Sequence, residues 1–201
     1  MSERSPLWFD RKNHAYWVDG VRLPGVTRVI AHAGVSTDYS MIDTGTMDGA
    51  RNRGNIVHEI IHKHHAEGTT LRAHTHKQAD GCLRAYEKFL AETSYRVEWT
   101  ERQLYSTLFW YAGTIDNRGW LFGERTILDV KTSHDVNQPA VELQTASYAW
   151  LNDENYPEEK HERRVCLHLM KTGRYRLLRC DDPMALDKFV EALKSMQEEL
   201  Q

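Results

Sequence analysis

The stretch Thr126-Ile127-Leu128-Asp129-Val130-Lys131-Thr132 constrains the fold more than any other part of the 201-residue chain. Its β-branched and apolar residues read as a strand. Alternate side chains of a strand share a face, so Asp129 and Lys131 point one way while Leu128 and Val130 point into the opposite core. A surface ion pair would account for an Asp-x-Lys pattern by itself. With Ile127, Leu128 and Val130 around it, however, the strand is expected to be central and buried. An idle aspartate and lysine there would be costly to desolvate.

The rest of the chain supplies partners for that strand. Residues 8–23 read as a β-hairpin or short meander with a turn at Asp19-Gly20. Thr27 is expected to cap a short helix from Arg28 to Ala33, ended by Gly34. Residues 36–47 read as a loop. A helix is expected over about 48–66, carrying Val57, Ile60 and Ile61 on one face, and a second over about 74–93. Strands are expected at 96–106, 108–116, 119–122 and 125–131, with a turn at Asn117-Arg118-Gly119. A helix over 139–152 follows, with Pro139 in its first turn. A hairpin over 163–180 turns at Lys171-Thr172-Gly173, and a last helix begins at Asp182-Pro183. This order predicts an α/β chain with a central mixed β-sheet flanked by α-helices. It reads as a single domain over 1–201. Residues 1–35 are expected to form an N-terminal hairpin-and-helix appendage, 45–155 the core, and 160–201 a C-terminal hairpin and helix.

Composition narrows the setting. Hydrophobic residues make up 40% and charged residues 27%, the balance of an ordinary globular protein. There is no apolar run long enough for a membrane span and no apolar core in the N-terminal segment, so a cytoplasmic location and no membrane partner are expected. Cys82, Cys166 and Cys180 are too widely spaced to suggest a disulfide framework or a cysteine zinc site. The net charge of -3 does not announce nucleic-acid binding. An acidic metal site with locally held basic groups is equally compatible with it.

The chemistry converges on Gly113-Thr114-Ile115-Asp116 and the Asp129-Val130-Lys131 strand. With Asp116 at a strand end before a turn, a hairpin would bring it beside Asp129. Two carboxylates there would suit a hard divalent cation such as Mg²⁺ or Mn²⁺. A lysine two residues from such a carboxylate can orient or help deprotonate a water, or stabilise charge developing on a phosphorus centre.

These residues resemble the core motif of the PD-(D/E)XK nuclease superfamily, with Asp129 where Glu is more frequent. Arg53-Gly54-Asn55-Ile56-Val57-His58 resembles the RGxxxH helix motif of RecB-type nucleases, and Gln144-Thr145-Ala146-Ser147-Tyr148 their QxxxY motif. The opening segment from His14 resembles that of many phage-encoded exonucleases, and the matches run in family order from about residue 14 to 150. The resemblance implies a restriction-endonuclease-like core and an Mg²⁺- or Mn²⁺-dependent deoxyribonuclease with one or two ions, acting from DNA ends. Recombination, repair or phage DNA processing in a bacterial or phage-infected cell is the implied setting. It implies His58, Asp116 and Asp129 as metal ligands, the carbonyl of Val130 as a further ligand, and Lys131 as the catalytic lysine. Gly54 would let the backbone come close to metal or DNA. Gln144 and Tyr148, one helical turn apart, would contact the DNA backbone or support Lys131. Glu101 would contact a second metal or sit at a strand edge, with Glu98 a weaker candidate. Arg51 and Arg53 would meet phosphates.

Other features admit plainer readings. His62, His64, His65, His74 and His76 lie near His58, but there is no HExxH pattern, and His58 is expected to be the sole ligand of the run. Tryptophans belong mostly to cores, although Trp8 and Trp17 could stack on a frayed base. Lys171-Thr172-Gly173 lacks the preceding GxxxxG of a phosphate loop. A catalytically silent nucleic-acid-binding module, or an assembly protein on the same fold, are the alternatives. A homo-oligomer or a recombination or annealing partner protein stays open.

Overall fold

The structure is a computed structural model, which describes residues 4–35 and 44–199. In chain order the elements are β1 (Leu7–Asp10), β2 (Ala15–Val18), β3 (Val21–Leu23), α1 (Val26–His32), α2 (Thr44–Glu67), α3 (Lys77–Thr93), β4 (Arg96–Tyr105), β5 (Ala112–Leu121), β6 (Glu124–Lys131), α4 (Gln138–Asn155), β7 (Arg163–Leu169), β8 (Tyr175–Arg179) and α5 (Ala185–Glu198). The expected α/β architecture is present. A five-stranded mixed sheet in the order β4-β5-β6-β7-β8 is antiparallel except for the parallel β6–β7 pair. That pair needs a crossover, and α4 provides it. A separate antiparallel meander, β1-β2-β3, turns at Asp19-Gly20 with both residues at positive φ. No helix among the described residues is long and apolar enough to cross a membrane.

Two cores sandwich the sheet. On one face Val57 and Ile61 of α2 and Cys82, Leu83, Tyr86 and Phe89 of α3 pack on Leu128, Val130, Val165 and Leu167. On the other, Val26, Val29 and Ile30 of α1 join Leu143, Tyr148 and Leu151 of α4 and Phe189 and Leu193 of α5 over Ile115 and Ile127. The short α1 thus shares a core with the last helix of the chain. β6 is internal and apolar on both faces, as the alternation around Asp129 predicts.

Several expectations need correction. Asn117-Arg118-Gly119 is not a turn. It lies inside one unbroken β5, whose true turn is Phe122-Gly123, both at positive φ. The Asn-x-Gly pattern misleads because its residues are consumed by packing. Arg118 is 4% exposed, pairs with Glu98 and Glu159 and donates to Asn152. A Cβ on Gly119 would stand 2.4 Å from the Arg96 carbonyl oxygen. Asp116 is therefore mid-strand rather than at a strand end; the expected strands 108–116 and 119–122 merge in one β5 that starts only at Ala112, residues 108–111 lying in the turn region before it. Thr27 is not a cap: α1 starts at Val26 after Gly25, with no side-chain capping bond. The last helix starts at Ala185, two residues beyond Pro183, after Asp182 Oδ1 accepts the Met184 N–H. Of the expected loop at 36–47, residues 36–43 lie outside the described residues, and the chain is helical from Thr44.

Candidate active site

The site sits where β4 and β5 change face. Thr100 pairs with Asn117 and Arg102 with Ile115. Residues two apart in a regular strand share a face. Yet Thr100 Oγ1 meets His62 of α2 at 2.5 Å, while Arg102 donates to Tyr156 at the end of α4, on the other side of the sheet. The switch occurs at Glu101, whose φ of 50° is rare for a residue other than glycine. Such strain costs about 1–3 kcal/mol and persists where the surroundings over-determine it. Here it brings the Glu101 carboxylate to the same place as Asp116.

α2 supplies the third group. Gly54 lets this helix close on the end of β6, where a Cβ would lie 3.4 Å from Thr132 Oγ1. Arg53 locks the approach: it is 3% exposed and donates to the Thr132 carbonyl at 3.0 Å and to Gln78 at 3.1 Å. One turn on, His58 reaches the sheet. Its Nδ1 is 3.1 Å from Glu101 Oε1 and 3.8 Å from Asp116 Oδ2, and its Nε2 is 3.1 Å from the Val130 carbonyl oxygen. A carboxylate and a carbonyl can only accept, so both ring nitrogens donate and His58 is an imidazolium. Its pKa is correspondingly raised to about 9. Burial opposes the charge, but the Asp116 and Glu101 carboxylates outweigh it. Burial, with Asp129 and Glu101 nearby, pushes Asp116 up to about 7, against the pull of His58 and Lys131.

Asp116 has a second contact. Its Oδ2 accepts the Val130 N–H at 2.7 Å, a side chain standing in for the β5–β6 ladder, whose registered pairs begin at Asn117–Leu128.

Asp129, Lys131, Gln144 and Tyr148 form a chain next to this cluster. Lys131 Nζ lies 3.0 and 2.8 Å from the two Asp129 oxygens and donates to Gln144 Oε1 at 2.9 Å. Gln144 Nε2 in turn donates to Tyr148 Oη at 3.1 Å. Tyr148 is 4% exposed and packs on Gly113, where a Cβ would lie 2.8 Å from its ring.

Comparison with protein-family profiles gives no match, and comparison with curated proteins gives none.

Among the described residues, His58, Glu101 and Asp116 are the group whose ligand atoms all lie within 4.8 Å of one another and could hold a metal ion. Asp129 stands outside that group, held by Lys131. Its Oδ2 is ion-paired with the Lys131 ammonium at 2.8 Å. Two carboxylates and one imidazole form a donor set that could hold a divalent cation.

The structure sorts the other candidates. Tyr148 is buried behind Gln144, so it reaches Lys131 through Gln144. Arg53 is bound within the protein, whereas Arg51 lies on an exposed face of α2. Glu98 is engaged with Arg118 and Arg125 away from the cluster. His62, His64 and His65 bind Thr100, the Thr69 carbonyl and Tyr86, respectively. Sequence reasoning missed Tyr16, whose hydroxyl pairs with Thr114 Oγ1 at 2.9 Å and ties the N-terminal meander to the strand carrying Asp116. No periodicity signals such a contact between distant segments.

Proposed function

We propose that the chain is a metal-dependent deoxyribonuclease on a restriction-endonuclease-like core, of the PD-(D/E)XK kind. The observation that carries this reading is the His58–Glu101–Asp116 donor cluster abutting the Asp129–Lys131–Gln144 chain across the Val130 peptide. His58, Glu101 and Asp116 would hold the ion, with the Val130 carbonyl and Asp129 beside them. When bound, Mn²⁺ or Mg²⁺ supplies Lewis acidity toward a phosphodiester and its attacking water. The protein's own groups divide the remaining work. Lys131 Nζ is surrounded by acceptors, so it is a fixed ammonium rather than a proton acceptor. It offers positive charge toward a phosphoryl oxygen and a donor that aligns water for in-line attack. Asp129 and Gln144 fix the direction of that ammonium, and Tyr148 fixes Gln144. Exposed Arg51 on α2 would meet DNA phosphate.

The test uses end-labelled linear DNA, single- and double-stranded, with Mn²⁺, Mg²⁺ or EDTA, and circular DNA as control. Wild type is expected to shorten linear DNA only with metal, and Lys131→Ala to leave it intact. Equal, metal-independent binding without cleavage by both proteins would instead favour a silent nucleic-acid-binding module.

A further inference from the structure

The outward face of the N-terminal meander takes no part in this site. Its register places Trp8 opposite Trp17 and Trp17 opposite Arg22, in one row across three strands. Tyr16, Val18 and Leu23 face the other way, onto Tyr105 and Ala112. Trp8 is 61% exposed, far from the usual burial of tryptophan. Its ring centroid is 6.4 Å from that of Trp17, with the planes at 46°. The two rings line a shallow depression completed by Pro6, Asp19 and Gly20.

Charge decides what fits there. Arg22 is exposed beside Trp17, and Arg11 and Lys12 are exposed at the β1–β2 turn. The acid of that turn, Asp10, is already engaged, accepting from the N–H groups of Lys12 and Asn13 and from Asn13 Nδ2. Asp19 is the carboxylate left in the depression. It repels phosphate and so favours a base over a backbone between the rings. Aromatic faces flanked by cations bind single-stranded nucleic acid by stacking and phosphate attraction. The turn also adjoins the cleft. Trp8 is two strand residues, about 7 Å, from Asp10. His14 of that turn packs on the Tyr16 ring, centroids 5.6 Å apart, and the Tyr16 hydroxyl meets Thr114 Oγ1 at 2.9 Å, two residues before Asp116.

We propose that Trp8, Trp17 and Arg22 form a stacking platform for single-stranded DNA, and that Arg11 and Lys12 lead its backbone toward the His58–Glu101–Asp116 cleft. The link to the cleft rests on the nuclease reading; the platform does not.

The test is binding of a labelled short oligothymidylate in EDTA, followed by fluorescence anisotropy across a salt series. Wild type binds. Trp8→Ala with Trp17→Ala weakens binding by roughly tenfold or more, and Trp8→Phe restores most of it. Arg22→Gln lowers the salt slope by roughly 0.7. Trp8→Ala and Arg22→Gln alter only exposed groups and decide the matter even if the double variant unfolds. Absence of wild-type binding, or wild-type affinity in both Trp8→Ala and the folded double variant, overturns the platform. So does a shift from dimer to monomer in sedimentation with DNA affinity unchanged, which would make the face a contact between copies. Cleavage of blunt duplex DNA in Mn²⁺ is scored separately. Failure there and on linear single-stranded DNA as well would sink the nuclease reading while leaving oligothymidylate binding to stand or fall alone.

Discussion

Asp116 Oδ2 accepts the backbone N–H of Val130 at 2.7 Å, so the carboxylate that meets His58 and Glu101 also closes the ladder beside the lysine strand. The two roles separate by substitution. Asp116→Asn keeps an oxygen for Val130 and removes the charge. Its thermal midpoint should stay near wild type while metal-dependent cleavage falls by about a hundredfold or more, since one well-placed charged ligand is worth several kcal/mol. Asp116→Ala leaves a buried donor unpaired and should lose about 1–3 kcal/mol in urea unfolding as well. A cleavage rate near wild type in Asp116→Asn would remove Asp116 from the chemistry.

Among the described residues, the Gln144 side chain hydrogen-bonds Lys131 and Tyr148. Gln144→Leu should therefore lower kcat by about tenfold to a hundredfold with KM for DNA little changed, because it misdirects a charge rather than a binding group. Tyr148→Phe should act in the same direction more weakly. If Gln144→Leu instead raises KM at constant kcat, the residue contacts DNA directly.

Binding of an ion must displace protons. If His58 and Asp116 hold the ion, His58 has to lose an imidazolium proton that the Asp116 and Glu101 carboxylates retain against burial, with its pKa raised to about 9, and Asp116, whose carboxyl burial pushes up, must be ionised. Mn²⁺ affinity is thus expected to rise with pH between about 6 and 9, at most about tenfold per unit for each proton released. Calorimetry in two buffers of different ionisation heat measures the proton count. A pH-independent affinity with no proton release would place the ion elsewhere. Glu101→Gln should weaken the Mn²⁺-induced rise in thermal midpoint.

His65 gives a stability signal of its own. Burial, and secondarily His64, lowers its pKa to about 4, and its ring bonds Tyr86 Oη at 2.8 Å. The unfolded chain protonates histidine near 6.5. The unfolded state therefore binds more protons between 6.5 and 4. The stabilisation is full above 6.5 and is lost as pH falls toward 4, by on the order of 2–3 kcal/mol. His65→Gln should flatten that part of the urea-midpoint curve relative to wild type. An unchanged difference across pH 4–6.5 would contradict it.

Gly81 of α3 lies under the β7–β8 turn, where a Cβ would meet the Lys171 carbonyl oxygen at 1.9 Å. Backbone cannot yield that distance cheaply, so Gly81→Ala should destabilise by about 3 kcal/mol or more. A near-neutral effect on thermal unfolding would mean the turn can lift off.

The parts of this fold that could be read from the chain were the local ones. Ile127, Leu128 and Val130 around Asp129 announced an internal strand because burial leaves a period that needs no partner to be recognised. Asp19-Gly20, Gly34 and Pro139 marked turns and ends through backbone chemistry alone. Asp116 was misplaced because Asn117-Arg118-Gly119 has turn composition, and only the buried network around Arg118 shows why it stays extended. The left-handed φ at Glu101 left no trace in the residue types, so the residue that joins His58 and Asp116 was ranked below Asp129. The Lys131–Gln144 contact spans a loop and a helix, and spacing could suggest it only through resemblance.

The parallel pairing of Lys131 with His168 sets an order of events for the nascent chain. β6 reaches the ribosome exit with one flank open and stays so until α4 and then Arg163–Leu169 have emerged. Throughout that interval the polypeptide displays an apolar, unpaired strand edge, the kind of surface that attracts chaperones and seeds aggregates. A chain released before Leu169 should therefore be retained by holdases or found in inclusion bodies, even though His58, Glu101 and Asp116 have all been made.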